Sequence, residues 1–111
     1  MKKISFDDFL KLDIRVGEIL KVENFEGLKK PAYKVWVDLG DDLGVKKTSA
    51  QICELYSKEE LIGKKVLVVV NFHEKQIKNF MSEVLILGVY SSDGVVLITP
   101  DKETKKGDKL G

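Results

Sequence analysis

The sequence predicts an all-β protein, a small barrel of about five or six short strands with short helices at the N-terminus and between strands 3 and 4. Short apolar or alternating segments recur along the chain, with turn residues between them. The segment 57–63, between the third and fourth of these, has instead the pattern of a capped helix. Together these observations favour a small closed sheet over a helical or a mixed fold.

The composition predicts a single domain that covers residues 1–111. Apolar residues make up 43% and charged residues 33% of the chain, as in globular proteins. The start MKKISFDDF has no apolar segment behind its lysines, so we expect a cytoplasmic protein with no signal peptide and no membrane insertion. Net charge is only +1, so any nucleic-acid site must come from local clusters of lysines.

The first predicted elements are a short helix and a long, bent strand. Ser5 is a good N-cap for a helix that ends near Leu12, and a strand follows over residues 13–24. Gly17 interrupts the alternation of this strand, which predicts a bulge or a sharp bend around the barrel. The side chains predicted to share one side are Ile14, Val16, Leu20 and Val22.

The second predicted strand begins at Ala32 and alternates strictly. Trp36 faces one way with the polar side chains of Lys34 and Asp38. The side chains predicted to face the other way are Tyr33, Val35, Val37 and Leu39. An outward indole can stack on a base, anchor an interface or simply cover neighbouring surface, and these interpretations stay open.

The third predicted strand, VKKTSAQI over residues 45–52, is small and polar, so we expect one side of it to face a ligand. A capping box from Ser57 to Glu60 then predicts the second helix. Two further strands are predicted over 65–71 and 83–90, and a last one over 95–99. This is the order of a five-stranded OB-fold barrel, which presents one face and two flanking loops to oligonucleotides.

The polar connector between the fourth and fifth predicted strands, residues 71–83, is the candidate binding site. It combines lysines with phenylalanines, and in nucleic-acid sites bases stack on rings while phosphates meet ammonium groups. An ordinary hairpin with core phenylalanines is the alternative interpretation.

No catalytic motif is present in the sequence. There is no P-loop, no glycine-rich dinucleotide turn and no nucleophile elbow. Cys53 follows an apolar residue and is expected to be a small buried side chain. With His73 as the single histidine, the chain lacks the ligands of the usual zinc site. We therefore expect no enzyme activity, no metal and no cofactor.

The chain resembles the CsaA family of small tRNA-binding-domain proteins in three segments, VKKTSAQI, YSKEELIGKKVLVVVNF and IKNFMSEVLILG. The resemblance runs nearly from end to end and extends more loosely to the tRNA-binding modules of methionyl-tRNA synthetases and to the endothelial monocyte-activating polypeptide group. It implies a cytoplasmic OB-fold homodimer that binds tRNA or structured RNA. It also implies an ATP-independent, export-related chaperone for unfolded or exported polypeptides. The alternative is an accessory module that assists an aminoacyl-tRNA synthetase.

The resemblance, matched motif by motif, implies a set of RNA-binding residues. Lysines would contact phosphates, phenylalanines would stack on bases, and polar side chains would bond base edges or ribose. The set is Lys47, Ser49, Gln51, Asn71, Phe72, Lys75, Lys78, Phe80, Ser82 and Glu83. The outward side chains expected to bind polypeptide are Trp36 and Phe80.

The segment 73–76, HEKQ, departs from the family pattern, in which prolines and two basic residues follow the N-F pair. One firm positive charge remains there, beside the anionic Glu74. We also predict a two-fold dimer formed by the N-terminal helix and the C-terminal extension, because their apolar groups Phe6, Phe9 and Leu110 otherwise have no partner.

Overall fold

A computed structural model describes all residues, 1–111, and contains two short helices and nine strands. The helices are α1 (Phe6–Leu10) and α2 (Lys58–Leu61). The strands are β1 (Ile14–Asn24), β2 (Tyr33–Asp38), β3 (Val45–Ala50), β4 (Lys65–Val69), β5 (Lys75–Ile77), β6 (Phe80–Ser82), β7 (Leu85–Ile86), β8 (Gly88–Ser91) and β9 (Gly94–Leu97). No helix is both long and apolar enough to cross a membrane.

Five strands form one antiparallel sheet in the order β3, β2, β1, β4, β7, which curls into a nearly closed barrel. The predicted five-stranded OB-fold barrel is therefore confirmed. The other four strands form two hairpins, β5–β6 and β8–β9. The connector predicted as a loop thus contains a hairpin of its own, and the single strand predicted over 83–90 is divided into β7 and β8.

Both helices begin at the serine that the sequence predicts. Ser5 Oγ accepts a hydrogen bond of 3.1 Å from the Asp8 N–H at the start of α1. Ser57 Oγ accepts one of 3.2 Å from the Glu60 N–H, while Glu60 Oε1 accepts one of 2.6 Å from the Ser57 N–H. This reciprocal pair is the predicted capping box, and it fixes the start of the four-residue α2.

The core side of β2 is as predicted, but β1 differs from its prediction. Ile19 is fully buried whereas Leu20 is 43% exposed, the reverse of the expected phase. The register of β1 on β2 slips between Ile19 and Lys21, so the bulge lies at Leu20 and not at Gly17. The extra residue reverses the face of the sheet to which each later side chain of β1 points, and Val22 therefore packs against the core.

Gly17 allows close packing across the barrel. A Cβ at this position would lie 2.4 Å from Val37 Cγ1 and 2.9 Å from Leu39 Cδ2. A Cβ at these distances would force Val37, Leu39 or β1 itself to shift, so glycine allows the close approach of β1 to the barrel interior.

The outer surface of the barrel also carries an apolar cluster, formed by Ile14, Val16, Leu67 and Val69, with Leu87 packed against it. The C-terminal segment 107–110 runs along β1 beside this cluster. The Gly107 N–H donates to the Val16 carbonyl over 2.8 Å, and the Leu110 N–H donates to the Ile14 carbonyl over 2.8 Å. The polar C-terminal extension is therefore bound to the edge of β1.

Candidate nucleic-acid interface

The outward side of β2 and β3 lies between the loop 25–32, which follows β1, and the connector 70–84, which follows β4. The strand register places outward residues of three strands directly opposite one another, and opposite residues share a face of the sheet. One row consists of Lys21, Trp36 and Lys47, and the next of Glu23, Lys34 and Ser49. Strands 2 and 3 with these two loops are the part of an OB-fold that binds oligonucleotides.

An aromatic cluster lies on this face and joins both loops to the sheet. The Phe80 ring packs edge-on against Phe25, with centroids 5.4 Å apart, and against Trp36, with centroids 6.1 Å apart. Phe80 is only 5% exposed and Trp36 is half-buried. The prediction of an outward Phe80 that could stack on a base or hold a peptide is therefore wrong, because the β5–β6 hairpin folds back and inserts this ring against Phe25.

Three lysines surround the aromatic cluster. Lys21 Nζ lies 4.6 Å from the Trp36 ring centroid, and Lys47 Nζ lies 5.3 Å from that of Phe80. Lys34 Nζ lies 4.9 Å from the Phe25 centroid and 5.4 Å from that of Phe80. Each such contact contributes about 0.5–1 kcal/mol at an exposed site. The rings thus hold the ammonium groups in place at the surface.

Two of these three lysines have no acidic partner. Lys21 pairs with Glu23 at 3.1 Å, whereas Lys34 and Lys47 form no ion pair. Their charges are free to meet an anion. Lys47 belongs to the predicted set, but Lys34 and Lys21 were missed. Lys34 could have been identified, because it lies two residues before Trp36 in a strictly alternating strand and therefore shares its face.

Ser82 and Glu83 form a seam between β3 and the end of the connector, where β3 has no strand partner. Glu83 Oε1 accepts a bond of 3.0 Å from the Lys47 N–H, and the Glu83 N–H donates to the Lys47 carbonyl over 2.8 Å. Ser82 Oγ accepts one of 3.1 Å from the Ser49 N–H. These bonds give both predicted RNA-binding residues a structural partner in the β3 backbone.

A cavity of about 280 Å³ lies beside this seam and brings five members of the predicted set together. Its walls include Ser49 from β3, Phe72 and Lys75 from the connector, and Ser82 and Glu83 from the seam. The Phe72 ring is 50% exposed and Lys75 forms no ion pair. An exposed ring, an ammonium group and a hydroxyl therefore meet at one cavity, which is the combination that a nucleotide requires.

The other predicted residues lie apart from this cavity. Gln51 is exposed just beyond β3, and Lys78 is exposed at the turn of the β5–β6 hairpin. Asn71 instead holds the end of α1. Its Oδ1 accepts a bond of 2.9 Å from the Asp13 N–H, and its Nδ2 donates one of 2.7 Å to the Lys11 carbonyl.

The titratable groups show no arrangement typical of catalysis. Burial raises the pKa of the half-buried Cys53 thiol and keeps it neutral, the opposite of what an activated nucleophile needs. Burial likewise raises the pKa of Tyr33, whose hydroxyl donates to the Tyr56 carbonyl over 2.8 Å. No group of three or more His, Cys, Asp or Glu side chains is arranged to hold a metal ion.

A sequence family described as a putative tRNA binding domain matches residues 14–109. The chain is also 36% identical, over 110 residues, to the methionine–tRNA ligase of Thermococcus kodakarensis. That alignment covers 99% of this chain and 14% of the ligase, so the chain spans about one seventh of the length of this curated relative.

Two solved structures have the same fold over almost all of their length. The CsaA chaperone protein from Picrophilus torridus is 51% identical, with a TM-score of 0.93 over 98% of this chain and 100% of that chain. The chaperone CsaA from Bacillus anthracis is 41% identical, with a TM-score of 0.92 over 99% of this chain and 100% of that chain. The resemblance to CsaA proteins and to the synthetase modules is therefore confirmed.

Proposed function

This chain belongs to the family of putative tRNA binding domains, and we propose that it is a cytoplasmic, non-enzymatic module that binds tRNA or structured RNA through the outward face of β2 and β3 and the adjoining connector. The observation that carries this proposal is the position of Lys34 and Lys47. Both ammonium groups are held over the Phe80 ring without an acidic partner, beside the cavity that contains Phe72 and Lys75. In this arrangement phosphates meet the lysines, and an unstacked base or a ribose enters the cavity.

The electrostatic contribution of this face is local, since the net charge of the chain is +1. The logarithm of the affinity falls linearly with the logarithm of the salt concentration, and each phosphate contact adds about 0.7–0.9 to the steepness of this line. If Lys34, Lys47 and Lys75 each contact one phosphate, the affinity for tRNA should fall roughly 20- to 40-fold between about 50 and 200 mM salt.

The test is a titration with tRNA at these two salt concentrations. The variants Lys34→Gln, Lys47→Gln and Lys75→Gln should each weaken binding and lower the salt slope by about 0.7–0.9, because each removes one phosphate contact. Lys102→Gln is the matched control, an exposed lysine after β9 with no ion pair. Binding that responds neither to salt nor to the three variants would contradict the proposal.

A second candidate function is an ATP-independent chaperone for unfolded or exported polypeptides, favoured by the similarity to CsaA chaperone proteins. Phe80 is buried, so only Trp36 of the two predicted peptide-binding side chains keeps exposed surface. Apolar contact is offered instead beside β3, where Ile77 and Leu85 line a cavity of about 450 Å³. If stoichiometric amounts of the protein fail to slow the aggregation of a denatured client, this function is wrong.

We further propose that two copies form a two-fold dimer through α1, the C-terminal segment and the side of the β8–β9 hairpin that carries Val89 and Val96. On α1, Phe6 is 70% and Leu10 is 52% exposed, and Leu110 is 38% exposed. Val89 and Val96 are paired across the β8–β9 hairpin and are 55% and 41% exposed. Exposed apolar side chains that gather on one element mark interaction sites. Light scattering at micromolar concentration should give a dimer for the native chain and a monomer for Leu10→Glu, and a native monomer would overturn the proposal.

A further inference from the structure

We propose that a groove along the free edge of β3 binds an unpaired stretch of the RNA, with Tyr90 as a platform on which a base stacks at its far end. This inference rests on the proposed RNA-binding function. It adds a second binding region, on β8 and the loop 25–32, which lies beyond the cavity already described.

The groove consists of three adjoining cavities. The first, of about 280 Å³, shares Ser49, Ile77 and Leu85 with the second, of about 450 Å³. The second shares Gln51, Tyr90 and Val95 with a third, of about 580 Å³. Because each neighbouring pair has walls in common, the groove is continuous from Phe72 in the first cavity to Tyr90 in the last.

Tyr90 is the most exposed aromatic side chain of the protein, at 91%. It lies opposite Val95 in the β8–β9 hairpin, and Val95 packs against the main core. The hairpin is therefore anchored on the same side from which the Tyr90 ring projects. A ring that is held by a rigid element and covered by nothing is suited to stacking, which is the use that single-strand sites make of aromatic residues.

Each end of the groove combines an exposed ring with a lysine. Phe72 lies with Lys75 in the first cavity, and Tyr90 lies with Lys30 in the third. Neither lysine forms an ion pair. Glu54 also lines the third cavity. A ring for the base and an ammonium group for the phosphate, repeated at both ends, match two nucleotides of one strand better than the side chains of a polypeptide.

The middle of the groove offers one residue with unused hydrogen-bonding groups, Gln51. Along β3, the N–H groups of Lys47 and Ser49 point to the free edge, where they bond the seam. Gln51 follows in the same phase, and neither its backbone groups nor its carboxamide have a partner in the structure.

The shape of the groove selects an unpaired strand. Its walls are the edge of one strand and two hairpins. We expect single bases to enter between them and a paired helix to contact only the rim. Sequence-tolerant stacking combined with backbone contacts is how proteins hold single-stranded RNA.

The experiment measures fluorescence anisotropy of a labelled, unstructured oligoadenylate and of a blunt RNA hairpin, with unlabelled tRNA as competitor. Tyr90→Ala should weaken binding of the single strand by roughly 5- to 150-fold, the loss expected for one stacked base. Tyr90→Phe keeps the ring and should bind as the native chain does. Lys30→Gln should weaken binding and lower its salt slope by about 0.7, whereas the control Lys102→Gln should do neither.

The possible outcomes separate the groove from the proposed function. If tRNA binds but Tyr90→Ala leaves the affinity for the single strand unchanged, the groove is wrong and the RNA function stands. If neither RNA binds the native chain at low salt, both fail. Tyr90-dependent binding of an unfolded polypeptide without binding of the oligonucleotide would overturn the inference in favour of a peptide groove. Circular dichroism will show that Tyr90→Ala is folded, as expected for a side chain that is 91% exposed.

Discussion

Replacing Thr48 with valine removes the buried hydroxyl that joins β3 to the connector. Thr48 is 1% exposed, and its Oγ1 donates to the Val84 carbonyl over 2.6 Å and lies 3.0 Å from Ser82 Oγ. Valine has nearly the same shape, so the substitution leaves the packing intact. It takes the hydrogen-bond donor away from the Val84 carbonyl, which then has lost its partner inside the protein.

The expected cost follows from two opposing contributions. A buried acceptor without its partner costs about 1–3 kcal/mol, and burying one more methyl group returns about 0.8 kcal/mol. Thr48→Val should therefore lower the free energy of unfolding by about 0.2–2.2 kcal/mol. In a domain of this size, 1 kcal/mol corresponds to about 4 °C, so Tm should fall by about 1–9 °C.

Urea unfolding followed by circular dichroism measures this loss, which should lower the midpoint without changing the slope m. Hydrogen exchange should also become faster at the amides of Ser49 and Glu83, which lie in the seam. Ser82→Ala is the companion variant, and the effects of the two should not add, because both residues belong to one hydrogen-bond network. An unchanged midpoint, or strictly additive effects, would refute the role of Thr48 in closing the barrel.

Three further substitutions test other contacts. Gly17→Ala should lower the free energy of unfolding by about 1–3 kcal/mol, because its Cβ would lie 2.4 Å from Val37 Cγ1; an unchanged urea midpoint would show that β1 can move away. The Lys106 ammonium lies 2.9 Å from the Asp38 carboxylate and lowers its pKa below the ordinary 3.8. The pair therefore stabilises the fold above about pH 3.8, and this stabilisation is lost as the pH falls through the lowered pKa. The Tm difference between the native chain and Asp38→Asn should accordingly shrink on acidification below about 3.8, and a difference independent of pH would refute the pairing. Asn71→Ala should release the end of α1 at a cost of about 1 kcal/mol, measured as faster proteolysis of the N-terminal residues; unchanged cleavage would count against the two bonds.

The sequence predicts most of the barrel because alternation within one strand is a local property. In β2, every second side chain from Tyr33 to Leu39 is buried, as the pattern requires. In β1 the same reasoning assigns Leu20 to the core in place of Ile19. The position of the bulge is set by the register against β2, and its local sign in the sequence is Ile19, which is out of phase with Leu20 and Val22.

The candidate site could be predicted only in part for a similar reason. Lys47, Ser49, Phe72 and Lys75 do meet at one surface, since the segments that contain them are neighbours in the fold. Phe80 could not be placed, because its burial depends on Phe25, a residue of a loop far away in the sequence. The bonds of Asn71 and Glu83 are likewise long-range contacts, and a polar side chain does not reveal whether its partner is RNA or backbone.

The aromatic cluster also gives this face an intrinsic optical probe. Trp36 is the single tryptophan of the chain, half-buried under the Lys21 ammonium and edge-on to Phe80. Indole emission responds to nearby charge and to the withdrawal of water. An anion that draws Lys21 or Lys47 away from the rings, or a ligand that covers the indole, will therefore change the intensity or wavelength of its fluorescence. Events at the β2–β3 face can therefore be followed in the native chain without a label.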